Sequence, residues 1–395
     1  MDNNKKIPVI CQCLCVLNLS GYRSLLGDHR SRKLSAGMSI ELHVLAQLLQ
    51  LKSYDLITEH LRAHPKLQQA IGLESISPSQ LSRKTKTLCT GSLQELFCHL
   101  VEQIRHVTKS REGMSKDIGR LHLLDATDIR LPEVLGHWAR CGSKKTGVRL
   151  HVRLVVADPD TVFPDQIIAS TVNVREAVVA MELTTDKDVT YVMDRGYEKC
   201  AFFQKWTLEE KRFVVRVRDR LTLHPIPGTE REIPQEHGHV LQDVNVLTNK
   251  TTVPIRLVAF QDEKGQRYRV VTSRWDLSAA EIAQIYKNRW LIELFFKWVK
   301  QHLNMIQLHS FDPNAVWNQL FLSLIAFAVS LLVKLSLQMK KTLWMMVKML
   351  RTYPYDSWET FIEALNRPPT RKSKGRQKKA DHQLVLLTPQ RIILR

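Results

Sequence analysis

Residues 281–303 read EIAQIYKNRWLIELFFKWVKQHL. A helix turns by about 100° per residue, so each side chain can be placed on its circumference. With Tyr286 as zero, Glu293 falls at about −20°, Lys297 at +20°, Trp290 at +40°, Lys300 at −40° and Arg289 at −60°. All six share one stripe roughly 100° wide. The rest of the arc is apolar: Ile285, Leu291, Ile292, Leu294, Phe295, Phe296, Trp298 and Val299. The spacing predicts one continuous helix with a buried back and a front carrying a single carboxylate among three cations and two aromatic rings. A merely wet face would mix acids with bases for pairing. One acid among cations is the composition expected where the acid holds a metal and its neighbours hold phosphates.

One carboxylate cannot hold such a centre alone, so partners are sought at strand ends, where α/β folds place their sites. Upstream, residues 121–125 (LHLLD), 151–157 (HVRLVVA), 189–193 (VTYVM) and 213–217 (FVVRV) are strand-like, and 177–183 is helix-like. Asp125 ends the first run, with Thr127 on its face and Asp128 on the other. Asp194 ends the third, and Gly196 supplies the turn beyond it. A lone acid at a strand end is more often a cap or turn former. Residues 219–275 hold short β-rich runs between Gly, Pro and Asn turns, a meander inserted into the α/β segment. Helix returns at Ser278 with Glu281 three residues on, a capping box.

Further out, residues 1–110 are mostly helical in pattern. Ser77-Pro78 starts a helix carrying Arg83, Lys84 and Lys86. That helix reads either as the recognition element of a helix-turn-helix or as a solvated basic face. Residues 321–333 (FLSLIAFAVSLLV) are too short for a spanning segment of about 20 and read as a buried core helix. Residues 367–379 carry seven basic side chains, two prolines and no acid, a solvated arm suited to phosphates.

The whole chain has 395 residues, 44% hydrophobic and 25% charged, enough for two or three domains of a folded protein. Lys and Arg outnumber Asp and Glu by 58 to 39, a net charge of +19 that draws the chain to polyanions. The seven cysteines include no C-x2-C pair, so neither a zinc ribbon nor a disulfide framework is supported. Cys11, Cys13 and Cys15 alternate; they read as a metal or redox cluster or, more simply, as buried small thiols. The expected location is the cytoplasm, with no membrane span.

Taken together, these motifs carry a resemblance. Tyr286, Arg289, Glu293 and Lys300 reproduce the Y-x2-R-x3-E-x6-K signature of the insertion-sequence-four group of DDE transposases. Asp125-Ala126-Thr127 resembles that group's D-x-T, and Asp194-Arg195-Gly196-Tyr197 its D-R-G-Y strand end. Residues 213–217 resemble the strand that follows, and Arg149-Leu150-His151 the hairpin between the aspartates. The resemblance covers roughly residues 119–330.

It implies an α/β fold with a ribonuclease H-like catalytic core over residues 111–335, including a β-rich insertion at 219–275. A helical DNA-binding domain (1–110) would precede it, and a helical region (336–395) with the basic tail would follow. Asp125, Asp194 and Glu293 would be catalytic and hold two Mg2+ ions, for which Mn2+ could substitute. Tyr286, Arg289, Lys300 and Arg216 would grip phosphates at the transposon end, with Trp290 and Lys297 beside a distorted base. Arg83, Lys84 and Lys86 would read the inner terminal repeat. The implied partners are double-stranded DNA, as terminal inverted repeats and target, and a second copy in a homodimeric synaptic complex. A prokaryotic, nucleoid-associated setting follows. A catalytically silent DNA-binding derivative and a ribonuclease H-like nuclease without transfer activity are the competing expectations.

Overall fold

The computed structural model describes residues 7–19, 31, 33–134, 136–141, 145–235 and 238–368. Almost all of the basic tail lies outside these residues. The N-terminal region is helical: α1 (Val9–Cys15), α2 (Ala36–Leu49), α3 (Tyr54–Ala63), α4 (Pro65–Ile71), α5 (Pro78–Thr87) and α6 (Thr90–Val107). Serines set the starts of three of them, because a hydroxyl accepts one of the orphan N–H groups of a first turn. Ser35, Ser53 and Ser77 do this, Ser77 in a capping box with Gln80.

The middle of the chain alternates β1 (Leu121–Arg130), β2 (Arg140–Cys141), β3 (Lys145–Asp158), β4 (Thr161–Thr171), α7 (Glu176–Leu183), β5 (Thr190–Met193), α8 (Cys200–Leu208) and β6 (Arg212–Arg216). Next come β7 (Leu223–Pro225), β8 (Val240–Thr248), β9 (Ile255–Gln261) and β10 (Arg267–Thr272). Five helices close the described chain: α9 (Ala279–Lys287), α10 (Trp290–His302), α11 (Pro313–Ser336), α12 (Leu343–Thr352) and α13 (Trp358–Asn366). The result is mixed α/β, with helices at both ends of the chain around one large mixed sheet.

The sheet runs β2-β3-β1-β5-β6-β10-β9-β8-β7, with β4 on β3. β1, β5 and β6 are mutually parallel neighbours, and the remaining pairings are antiparallel. The meander at 219–275 therefore extends the core sheet, since β10 pairs directly with β6. β4 was not anticipated, because Pro164 removes a ladder donor. The proline sits on an edge strand beside a bulge, where that loss is tolerated.

A single apolar cluster joins α1–α6, one face of the sheet and the last five helices. A smaller cluster under α7 and α8 covers the other face. α11 is the central post, packed against α2, α5, α6 and α12. It is long and apolar enough to cross a membrane, but it is buried along its length by these neighbours. Its polar groups are used internally: the Asn318 amide donates to the carbonyls of Thr85 and Leu88 at 2.8 and 2.9 Å.

Cys11 and Cys13 face inward from α1, and burial pushes their thiols up to about 11 and about 12. That favours buried small thiols over a reactive cluster. Glu41 lines a cavity of about 450 Å3 with Cys11, Cys15 and Lys66. Burial lifts its carboxyl from the ordinary 4.5 to about 7. The folded protein thus keeps a proton that the unfolded chain releases. This contribution to stability is complete below pH 4.5 and is lost as pH rises through 7. Glu41→Gln should therefore stabilise the protein at pH 8 by on the order of 1 kcal/mol and not at pH 4.5. Urea midpoints at the two pH values measure this, and an equal gap at both would contradict it.

Candidate active site

β1 and β5 run parallel from Leu121 opposite Thr190 to Leu124 opposite Met193. The next residue on each is an aspartate, so Asp125 and Asp194 sit side by side where the two strands part. Asp125 does not end its strand as expected. β1 continues to Arg130 because its other edge stays paired with β3 as far as Gly147. Asp194 stands just before a short 3-10 turn, residues 195–197, its backbone carbonyl accepting the Tyr197 amide at 3.0 Å.

Glu293 reaches the same place from α10. The predicted continuous helix is divided into α9 and α10 by a tightened turn at Asn288 and Arg289. The amides of Arg289, Leu291 and Ile292 donate to carbonyls three residues back, at 3.0, 3.0 and 3.2 Å. Overwinding shifts the angular bookkeeping across the break. Even so, Tyr286 and Arg289 reach the acids, and Lys300 reaches β1 beside them.

Arg289 bridges two of them: one guanidinium nitrogen lies 3.3 Å from Asp125 Oδ2 and the other donates to Glu293 Oε1. The Tyr286 hydroxyl donates to Asp194 Oδ1 at 3.1 Å. Arg216 approaches the same oxygen at 3.8 Å, and its guanidinium lies over the Tyr268 ring, 4.7 Å from the centroid. Lys300 Nζ donates to Thr127 Oγ1 at 2.6 Å and to the Asp128 carbonyl at 3.1 Å. Trp290 is 57% exposed, and Lys297 is exposed too. Arg83 and Lys86 are exposed on α5, while Lys84 donates to Ser31 Oγ at 2.8 Å.

Burial pushes the Asp125 carboxyl up to about 6, with Asp194 and Glu176 adding to the rise and Arg289 opposing it. Burial and Asp194 raise the Tyr286 phenol far above its ordinary value. Burial works against the Arg289 charge, but Tyr286, Glu293 and Asp194 outweigh it and raise its pKa. Lys300 is lowered by burial.

Several neighbours were not marked as site residues by the sequence. Arg149 forms a two-point pair with Asp128 at 2.6 and 2.9 Å and lies 3.8 Å from Glu176. Glu176 packs so closely over Gly196 that a Cβ there would run into its carboxylate. The buried Tyr197 hydroxyl has no hydrogen-bond partner. Glu176 merely opens an unremarkable helix in the sequence, and Arg149 was read only as part of the hairpin motif, with no role at the site.

Carboxylate oxygens are the donors that Mg2+ and Mn2+ prefer, so the donor chemistry fits such an ion. The present arrangement does not gather them: among the described residues, no three His, Cys, Asp or Glu side chains are placed to hold a metal. The Arg289 guanidinium lies between two of the acids.

Residues 119–329 match the family model described as "Transposase DDE domain". The chain belongs to this DDE transposase family. The matched span runs from just before β1 into α11 and contains all three acids. Among similar proteins is one from Geobacillus stearothermophilus, named as a transposase for insertion sequence element IS5377. It is 28% identical over 313 residues, 78% of each chain. A second, named as transposase y4zB of Sinorhizobium fredii, is 29% identical over 270 residues, covering 65% of this chain and 73% of that one. A third, named for insertion sequence element IS4SA of Synechocystis, is 26% identical over 153 residues, 37% of this chain and 41% of its own. The protein is thus a DDE-type insertion-sequence transposase.

Proposed function

We propose that this transposase belongs to the insertion-sequence-four group, cleaves DNA at the ends of its element and joins those ends to a target. The observation that carries the reading is that Asp125 and Glu293, from distant segments, share Arg289, while Asp194, on the strand beside Asp125, is met by Tyr286 and Arg216. The order β4-β3-β1-β5-β6, an antiparallel meander continued by parallel strands, supports a ribonuclease H-like core.

The three carboxylates would hold two Mg2+ ions, which supply activation of a water or 3′-hydroxyl oxygen and neutralisation of the leaving oxygen. Around them Arg216, Tyr286, Arg289 and Lys300 hold the backbone of the element end, Arg289 offering a fork that matches a phosphate. Trp290 and Lys297, exposed beside this row, contact the terminal base. The N-terminal helices read the inner repeat through Arg83, Lys84 and Lys86. Two copies bring two ends together in the prokaryotic cytoplasm.

The N-terminal helices share their core with α11, so deleting residues 1–110 would strip that helix of its cover. Their role is better tested by footprinting Arg83→Ala with Lys86→Ala, which should lose protection of the inner repeat only. Lys300→Ala and Arg216→Ala should each weaken end binding and reduce its salt slope by about one phosphate contact. Unchanged slopes in both would mean that these cations do not face DNA.

The function is tested by incubating the protein with DNA from the gene's flanks, a target plasmid and Mg2+. Joined element–plasmid molecules are expected. Cut DNA without joining would mark a nuclease, and binding without cutting a silent derivative.

A further inference from the structure

We infer that Arg289 occupies the metal position of the DNA-free protein as a built-in counter-cation, and that a DNA phosphate must draw it away before divalent ions bind well. The inference rests on the role proposed above for the three acids.

The Arg289 side chain is 15% exposed and joins Asp125 to Glu293, themselves only 23% and 35% exposed. The third acid is met by the Tyr286 hydroxyl and Arg216. Each carboxylate therefore already has a partner from the protein itself, and no three of them are placed for a metal. A divalent ion entering between Asp125 and Glu293 would meet a fixed positive charge at contact range. Ion and guanidinium exclude each other.

The guanidinium cannot leave without a new anion, because a half-buried charge without a partner is costly. A phosphate is the matching acceptor, taking two parallel N–H bonds from the arginine fork. Arg289 is placed to reach one: it lies in the tight turn between α9 and α10, and the next residue, Trp290, is open to solvent. DNA that takes Arg289 frees two carboxylates, and ions that take the carboxylates free Arg289 for DNA. Each ligand must then raise the affinity for the other by the same factor. The acids stay closed to free metal until an end is bound.

The test is Mn2+ binding to the full-length protein, followed by the paramagnetic resonance signal of the free ion. It is run with and without a duplex from the gene's flanks, after subtracting ions held by the duplex alone. In the wild type the duplex should tighten Mn2+ binding about tenfold or more. Arg289→Gln should bind Mn2+ about tenfold more tightly without DNA, and the duplex should then add little. Lys340→Gln, a charge removed away from the acids, should change neither value. If Arg289→Gln does not melt cooperatively, Arg289→Lys replaces it; one ammonium cannot bridge two carboxylates, so the same shift is expected at smaller size. Equal Mn2+ affinity of wild type and Arg289 variant without DNA would overturn the inference, as would a wild type indifferent to the duplex. Asp125→Asn and Glu293→Gln separate this from the underlying reading. If they keep full Mn2+ binding, the acids are not the metal site at all. If they lose it while the Arg289 variant matches wild type, only the exchange of arginine for metal is wrong.

Discussion

Replacing Asp125, Asp194 or Glu293 by its amide is expected to abolish cleavage of element-end DNA, a loss of at least about a thousandfold, with end binding kept within a few-fold. An amide keeps the shape of the acid and removes the charge. Asp125→Asn retains the oxygen that accepts the Ala126 amide at 2.8 Å. Glu293→Gln keeps an Oε1 acceptor for Arg289 and loses the charge of that pair. All three acids are partly exposed, so the fold should survive each change. End-labelled duplex in a cleavage gel, beside a gel shift with the same DNA, reads both quantities. A variant that cuts within tenfold of wild type would remove that residue from the reaction. A variant that loses cutting and binding together would assign the residue to holding DNA.

The second large effect is on stability. Asp165 is fully buried on the bulge of β4, and both its oxygens accept from Arg153, each at 2.8 Å. Arg105 bonds the same carboxylate. The Arg153 side chain is itself only 4% exposed, so removing Asp165 strands a buried charge. Asp165→Ala should cost about 3–5 kcal/mol, since breaking one half of a buried pair leaves the other uncompensated. Urea unfolding of the two proteins measures this. A loss under about 1 kcal/mol would mean that water or the exposed Asp186 carboxylate, 3.1 Å from Arg153, takes over the charge. The bulge gives this pair its geometry: the extra residue between Pro164 and Gln166 turns Asp165 towards β3.

Asp165 also shows where sequence reading stops. The signature of Tyr286, Arg289, Glu293 and Lys300 was legible because all four lie within fifteen residues on near-helical spacing. The strand runs leading to Asp125 and Asp194 were legible because they are mostly apolar, although β1 runs on to Arg130. What sequence could not give was the third dimension. Nothing in residues 161–171 marks a strand, since a proline and a bulge interrupt its alternation. Neither could periodicity foresee that the helix tightens at Asn288, because both flanking segments keep a helical pattern. Arg149, Glu176 and Tyr268 join the site through strand register and the placing of α7, which exist only once the sheet has formed. The basic residues of α5 show the opposite case: their pattern was plain in the sequence, and Arg83 and Lys86 stand exposed on the helix.

Asp125, Asp194 and Glu293 are proposed above to hold the metal ions of one strand-transfer site. Fe2+ in place of Mg2+ can report this directly, because hydroxyl radicals made at a bound Fe2+ ion cut the nearby polypeptide backbone. With element-end DNA present, backbone cuts should cluster around residues 125, 194 and 293 and vanish when excess Mg2+ is added. Cuts confined to other segments, or a pattern unchanged in Glu293→Gln, would contradict the account.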